Sequence, residues 1–105
     1  DEVIMFKCGF RHILALNSYN EVYSCGLNSN GQLGRIESVN NCKMIKIDGL
    51  NDIVRLECGY YHSICIDGCG QLFVFGKNYS GELGLRDIHE IFTPIKHPSL
   101  SNIID

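Results

Sequence analysis

The sequence predicts an all-β fold: two four-stranded antiparallel blades of a β-propeller, the ring being only partly contained in these 105 residues. Three observations predict it. The chain matches itself at an offset of fifty residues without a gap, each copy breaks into four short strand-like runs, and turn-forming residues fall between the runs. The self-match gives eight identities in the 27 positions from Cys8 to Gly34. Chance at ~6% per position would give roughly one or two.

Taken in order, the first strands are Ile4–Cys8 and Val54–Cys58. The second are His12–Leu16 and His62–Ile66, apolar and without the 3.6-residue stripe of a surface helix. The third are Glu21–Cys25 and Gln71–Phe75, rich in the Val, Tyr and Phe that pack well on a pleated surface. Between second and third lie Asn17-Ser18-Tyr19-Asn20 and Asp67-Gly68-Cys69-Gly70, both suited to hairpin turns. The fourth strands are Lys43–Ile47 and Thr93–His97. Pro94 lies in the second of these, and a proline cannot donate to a ladder, so the fourth strand is expected at the sheet edge. Four strands per fifty residues is one propeller blade. Residues 1–52 are thus read as one repeat, 53–102 as a second, and 103–105 as the opening of a third, where Ile103 matches Ile53.

Composition narrows function. Nine basic and twelve acidic residues give a net charge of −3, and no Lys/Arg cluster occurs, so this segment is not expected to bind nucleic acid directly. No apolar run reaches the roughly 20 residues needed to span a bilayer, and the acidic start Asp1-Glu2 lacks the basic region of a signal peptide. Of the six cysteines, Cys8, Cys25, Cys58 and Cys65 lie in strand-like runs and are expected as buried thiols; Cys42 and Cys69 lie outside them. Disulfides and metal remain the alternatives, but Cys65 and Cys69 have no second pair to complete a zinc set. Buried thiols point to a reducing, intracellular compartment, cytoplasmic or nuclear.

His12 and His62 occur once per copy, and blades set equivalent residues apart around a ring, so each is read as held by a hydrogen bond within the blade architecture. His89 and His97 are expected on the surface. Asn78-Tyr79-Ser80 matches a glycosylation acceptor but coincides with a repeated turn and is expected unmodified. There is no Ser/His/Asp order, no P-loop and no paired carboxylate motif, so neither catalytic residues nor a cofactor are expected.

Motifs separate the propeller types. The chain has no Gly-Gly pair of the kelch kind and no Trp for a Trp-Asp repeat. It has Cys8-Gly9-Phe10-Arg11-His12 and Cys58-Gly59-Tyr60-Tyr61-His62. Each is followed, after two strands, by a glycine and Asn-x-x-Gly-x-Leu-Gly: Gly26, Asn28, Gly31, Leu33 and Gly34 in one copy, Gly76, Asn78, Gly81, Leu83 and Gly84 in the other. This resembles the repeat of the regulator of chromosome condensation family, over nearly the whole chain and twice in order. The family often places Trp before the glycine closing the third strand; here Cys25 and Phe75 hold those slots.

The resemblance implies a seven-bladed propeller and a choice of roles. Some members exchange guanine nucleotide on Ran-type small GTPases; others are scaffolds for ligases, kinases or trafficking proteins. A plant member senses ultraviolet light through Trp clusters, which these blades lack. In the exchange factor a wedge projects from one blade, whereas Arg35–Cys42 and Leu85–Phe92 are of equal length and hold no such insertion. The reading is a protein-interaction scaffold, with exchange on a small GTPase as the alternative. The copies differ most where Ile36–Met44 faces Arg86–Pro94, and the acidic Glu37, Asp87 and Glu90 there are the candidate partner-binding residues.

Overall fold

A computed structural model describes residues 2–35, 41–78 and 90–97 of the chain. Every regular element in it is a strand: β1 (Val3–Cys8), β2 (His12–Asn17), β3 (Val22–Gly26), β4 (Asn41–Lys46), β5 (Ile53–Cys58), β6 (His62–Asp67), β7 (Leu72–Lys77) and β8 (Glu90–Lys96). They form two four-stranded antiparallel meanders, ordered β1-β2-β3-β4 and β5-β6-β7-β8. The fourth strand is at the edge of each sheet, and Pro94 lies in β8.

The two sheets repeat the same register. His12 faces Gly26 across β2 and β3, and His62 faces Gly76 across β6 and β7. A bulge falls between Val3 and Met5 in one sheet and between Ile53 and Arg55 in the other. The β2–β3 turn explains why β3 starts at Val22 rather than at Glu21. Asn17 Oδ1 accepts from the backbone N–H of Tyr19 (3.0 Å) and of Glu21 (2.9 Å), an Asx turn that takes Glu21 N–H out of the ladder. Asp67 does the same for Cys69 (3.0 Å) and Gln71 (2.8 Å). The fourth strands start earlier than expected. Gly26 pairs with Asn41 in one sheet, and Gly76 pairs with Ile91 and Lys77 with Glu90 in the other, so β4 and β8 follow the third strand past a register shift.

The core lies between the sheets. Leu14, Leu16 and Val22 from the first meet Ile53, Leu56, Cys65, Val74, Phe75 and Ile91 from the second, joined by Ile47 and Leu50 from the β4–β5 connection. The sheets converge at β1, β2 and β5, as blades do toward a propeller's axis. The repeat match hides one asymmetry. Leu56 is buried because β5 packs on the first sheet, while its counterpart Phe6 on β1 is exposed on the opposite side of that sheet. Asn20, at a φ of 63°, clips the blades together at the turn end: its Nδ2 donates to Ile53 O (2.9 Å), and Ile53 N–H donates to Asn20 O (3.3 Å).

Two burial expectations are corrected. Cys8 is exposed, since it closes β1, the strand with the most open face; Cys25 and Cys58 are half-buried, and Cys65 alone of the described cysteines is fully buried. His97 is buried at 3% exposure, because its backbone N–H continues the β7–β8 pairing to Leu72 O (2.7 Å) and draws the residue into the sheet. His89 and residues 103–105 lie outside the described residues, as does the side chain of Cys42.

Candidate functional site

Strand direction sorts the connections into two ends. The β1–β2 and β5–β6 corners share one end with the long connections that leave β3 and β7, and the repeated motif residues among the described ones are at that end. Its construction begins with two glycines. A Cβ on Gly9 would sit 2.0 Å from the His12 ring and 2.6 Å from Gly59 O of the other blade. Gly26, at a φ of +115°, lies with its would-be Cβ 2.4 Å from Arg11 O. These contacts let the β1–β2 corner fold flat onto the end of β3, where Leu27 N–H donates to Arg11 O (2.7 Å); Lys77 N–H donates to Tyr61 O (2.8 Å) in the second blade.

Asn28 organises the connection that follows. Its Oδ1 accepts from Leu33 N–H (3.0 Å) and its Nδ2 donates to Arg35 O (2.9 Å), closing residues 28–35 into a compact loop. Gly31 N–H donates to Asn28 O and Gly34 N–H to Gly31 O inside that loop, and Leu33 is fully buried. Ser24 Oγ donates to Leu33 O (2.7 Å), and Arg35 returns to Ser24 through Nε (3.3 Å) and a terminal nitrogen to its carbonyl (3.0 Å). Asn78 is likewise buried; Gly81, Leu83 and Gly84 lie outside the described residues.

The motif histidine reaches across the blade boundary. His12, 2% exposed, places Nε2 2.9 Å from Ser63 Oγ, and Ser63 Oγ donates to Gln32 O at 2.8 Å. A hydroxyl has one proton, which Ser63 gives to Gln32 O, so His12 Nε2 must be the donor to Ser63. Burial, and then the nearby charge of His62, pulls the His12 pKa from 6.5 down to about 4.

A pH dependence follows. With the folded pKa below the unfolded one, the contribution of His12 is complete above pH 6.5 and is lost as pH falls toward about 4. At most roughly 3 kcal/mol is at stake over that window. Denaturant midpoints of the wild type and of His12→Gln should converge between those pH values; parallel curves would contradict the assignment.

A match to the regulator of chromosome condensation (RCC1) repeat covers residues 19–66 and 69–105. The chain belongs to this family. The first matched unit straddles both sheets, since it contains β3, β4, β5 and most of β6. Among solved structures, human WBSCR16 aligns at a TM-score of 0.78 and 26% identity over 90% of this chain and 25% of that one. Yeast RCC1 (Prp20), solved bound to Kap60, aligns at 0.77 and 26% identity over 94% of this chain and 26% of that one. Prp20p from Saccharomyces cerevisiae, in a study of its binding to Gsp1p and histones, aligns at 0.73 and 22% identity over 94% and 27%. The chain thus spans about a quarter of the solved proteins it matches. No curated protein sequence matches it significantly.

Of the RCC1-repeat chain's candidate partner-binding residues, Glu37 and Asp87 lie outside the described residues. Glu90 opens β8, and its carboxylate accepts from Asn30 Nδ2 of the first blade at 2.8 Å, so it joins blades as well as lining the end. Among the described residues no three metal-ligating side chains converge, and no helix is long and apolar enough to cross a membrane. Two features escaped the sequence. Ser63 faces Ile13 in the self-match, so it is invisible to a search for identities, although a hydroxyl inside the apolar run His62–Ile66 is a signal of its own. The second is a group of aromatic rings in the two slots between motif glycine and histidine. Phe10 and Tyr60 stack across the blade boundary with centroids 5.4 Å apart and planes at 12°, and Tyr61 meets both edge-on at 5.7 and 6.3 Å.

Proposed function

We propose that the chain is part of a protein-interaction scaffold that meets its partners through the connections at the motif end of the blades, in an intracellular setting. The observation that carries this reading is the division of labour in each blade. Motif side chains are committed to fastening, His12 on Ser63 and Asn28 on its own loop, and Asn30 beside them bonds Glu90 of the other blade. The connecting segments carry no such repeated duty and vary between the copies, which suits them to meet a partner. Partner binding by Prp20 to Kap60 supports the use of such an architecture for protein partners.

The test uses the full-length protein with Glu37→Ala and Asp87→Ala, and Glu90→Ala made separately because of its bond to Asn30. Partner recovery by affinity capture should fall at least severalfold in the double variant with the unfolding midpoint unchanged, the result expected of charges that act on association rather than on stability. Unchanged recovery defeats these loops as a binding face. The second reading, guanine-nucleotide exchange on a Ran-type small GTPase, is favoured by the likeness to yeast RCC1 (Prp20).

A further inference from the structure

We infer that the aromatic corners at the motif end form a docking platform for an acidic peptide segment bearing an aromatic or large apolar side chain. The inference rests on the scaffold reading and names the chemistry of the partner. The fixed residues of Cys-Gly-x-x-His hold the corner, and the two slots between them are turned outward. Within these two blades Phe10 is 51% exposed and Tyr60 71%, so the stacked pair lies outside the core between the sheets. The pair is fastened through its backbone: Phe10 N–H donates to Tyr60 O at 3.0 Å across the blades, and Gly9 packs close to Gly59 O. A bound side chain therefore meets a preformed surface and orders little on arrival.

Two cations frame the rings. The Arg11 guanidinium lies 5.3 Å from the Phe10 centroid, and Lys77 Nζ lies 5.5 Å from that of Tyr61. Both are held over ring faces near the exposed stack, where a partner's carboxylates would meet them while its aromatic ring adds to the stack. Beneath the stack is a depression of about 340 Å³ lined by Cys8, Gly9, Phe10, Cys58, Gly59 and Tyr60, large enough for a side chain. Glu57, which acts on Cys58 beside it, has its carboxylate 3.7 Å from Arg55, so its charge is offset there. Aromatic rings beside cations also suit single-stranded nucleic acid, but a strand needs a basic track along its backbone. Nine Lys and Arg against twelve Asp and Glu, without a cluster, favour the peptide.

The experiment measures fluorescence polarisation of a labelled synthetic peptide alternating glutamate with phenylalanine, titrated with the full-length protein. Comparison probes replace glutamate by lysine or phenylalanine by alanine, and a further probe is oligothymidine. The glutamate–phenylalanine peptide should bind tightest. Tyr60→Ala should weaken it about tenfold and Tyr60→Phe should not, while Arg11→Gln with Lys77→Gln should flatten its salt dependence. The unfolding midpoint of Arg11→Gln guards against a loss caused by misfolding. Equal binding of the lysine peptide, binding unchanged in every variant, or tighter binding of oligothymidine overturns the inference. If the peptide does not bind while partner recovery still depends on Glu37 and Asp87, the platform fails and the scaffold reading stands.

Discussion

Phe75→Ala should be the most damaging single truncation in the described part of the chain, costing about 3–5 kcal/mol. Phe75 is fully buried on β7 and is the largest such side chain. Its ring faces the first blade: a Cβ added to Gly34 would lie 3.1 Å from the ring and 3.1 Å from Ile47 Cγ2. The ring thus fills the space between the compact loop of the first blade and the second sheet, in the slot where related repeats often carry Trp. Removing it leaves a cavity walled by backbone and by β-branched Ile47, neither of which collapses easily. Denaturant titration of the full-length protein should show the loss; Phe75→Leu should recover much of it. A cost below about 1 kcal/mol for Phe75→Ala would contradict the packing described.

Gly26→Ala should cost about 3 kcal/mol or more, for a different reason. A φ of +115° is foreign to residues with a side chain, and the new methyl group would lie 2.4 Å from Arg11 O and 2.9 Å from His12 Cα. Both obstacles are backbone, so relief requires the β1–β2 corner to lift away from β3. That movement would also disturb His12 and its bond to Ser63. Gly68→Ala serves as the control, since its would-be Cβ approaches nothing nearer than Asp52 O at 3.9 Å. Equal stabilities of the two variants would show that the corner does not depend on its glycine.

These two positions show what the sequence makes legible. Gly26 and Gly76 stand out at a glance because backbone geometry recurs in every blade, and a repeat displays each such demand twice. Strand order and the edge position of Pro94 follow from the same signal. What joins one blade to the next is harder to read, because the partners come from non-equivalent positions: His12 meets Ser63, Asn30 meets Glu90, Gly34 meets Phe75. An offset of fifty aligns none of these pairs. Burial at the ends of strands is harder still. Cys8 and His97 have the expected neighbours in sequence, yet one is exposed and the other buried, because that depends on which sheet face has another blade against it.

The scaffold reading is tested most directly by nucleotide release from a Ran-type small GTPase loaded with a fluorescent guanine nucleotide. Under the scaffold reading, full-length protein bearing these two blades should leave the release rate at its spontaneous value. Release accelerated in proportion to the protein added, and lost in Glu37→Ala with Asp87→Ala, would contradict the scaffold and establish exchange in its place.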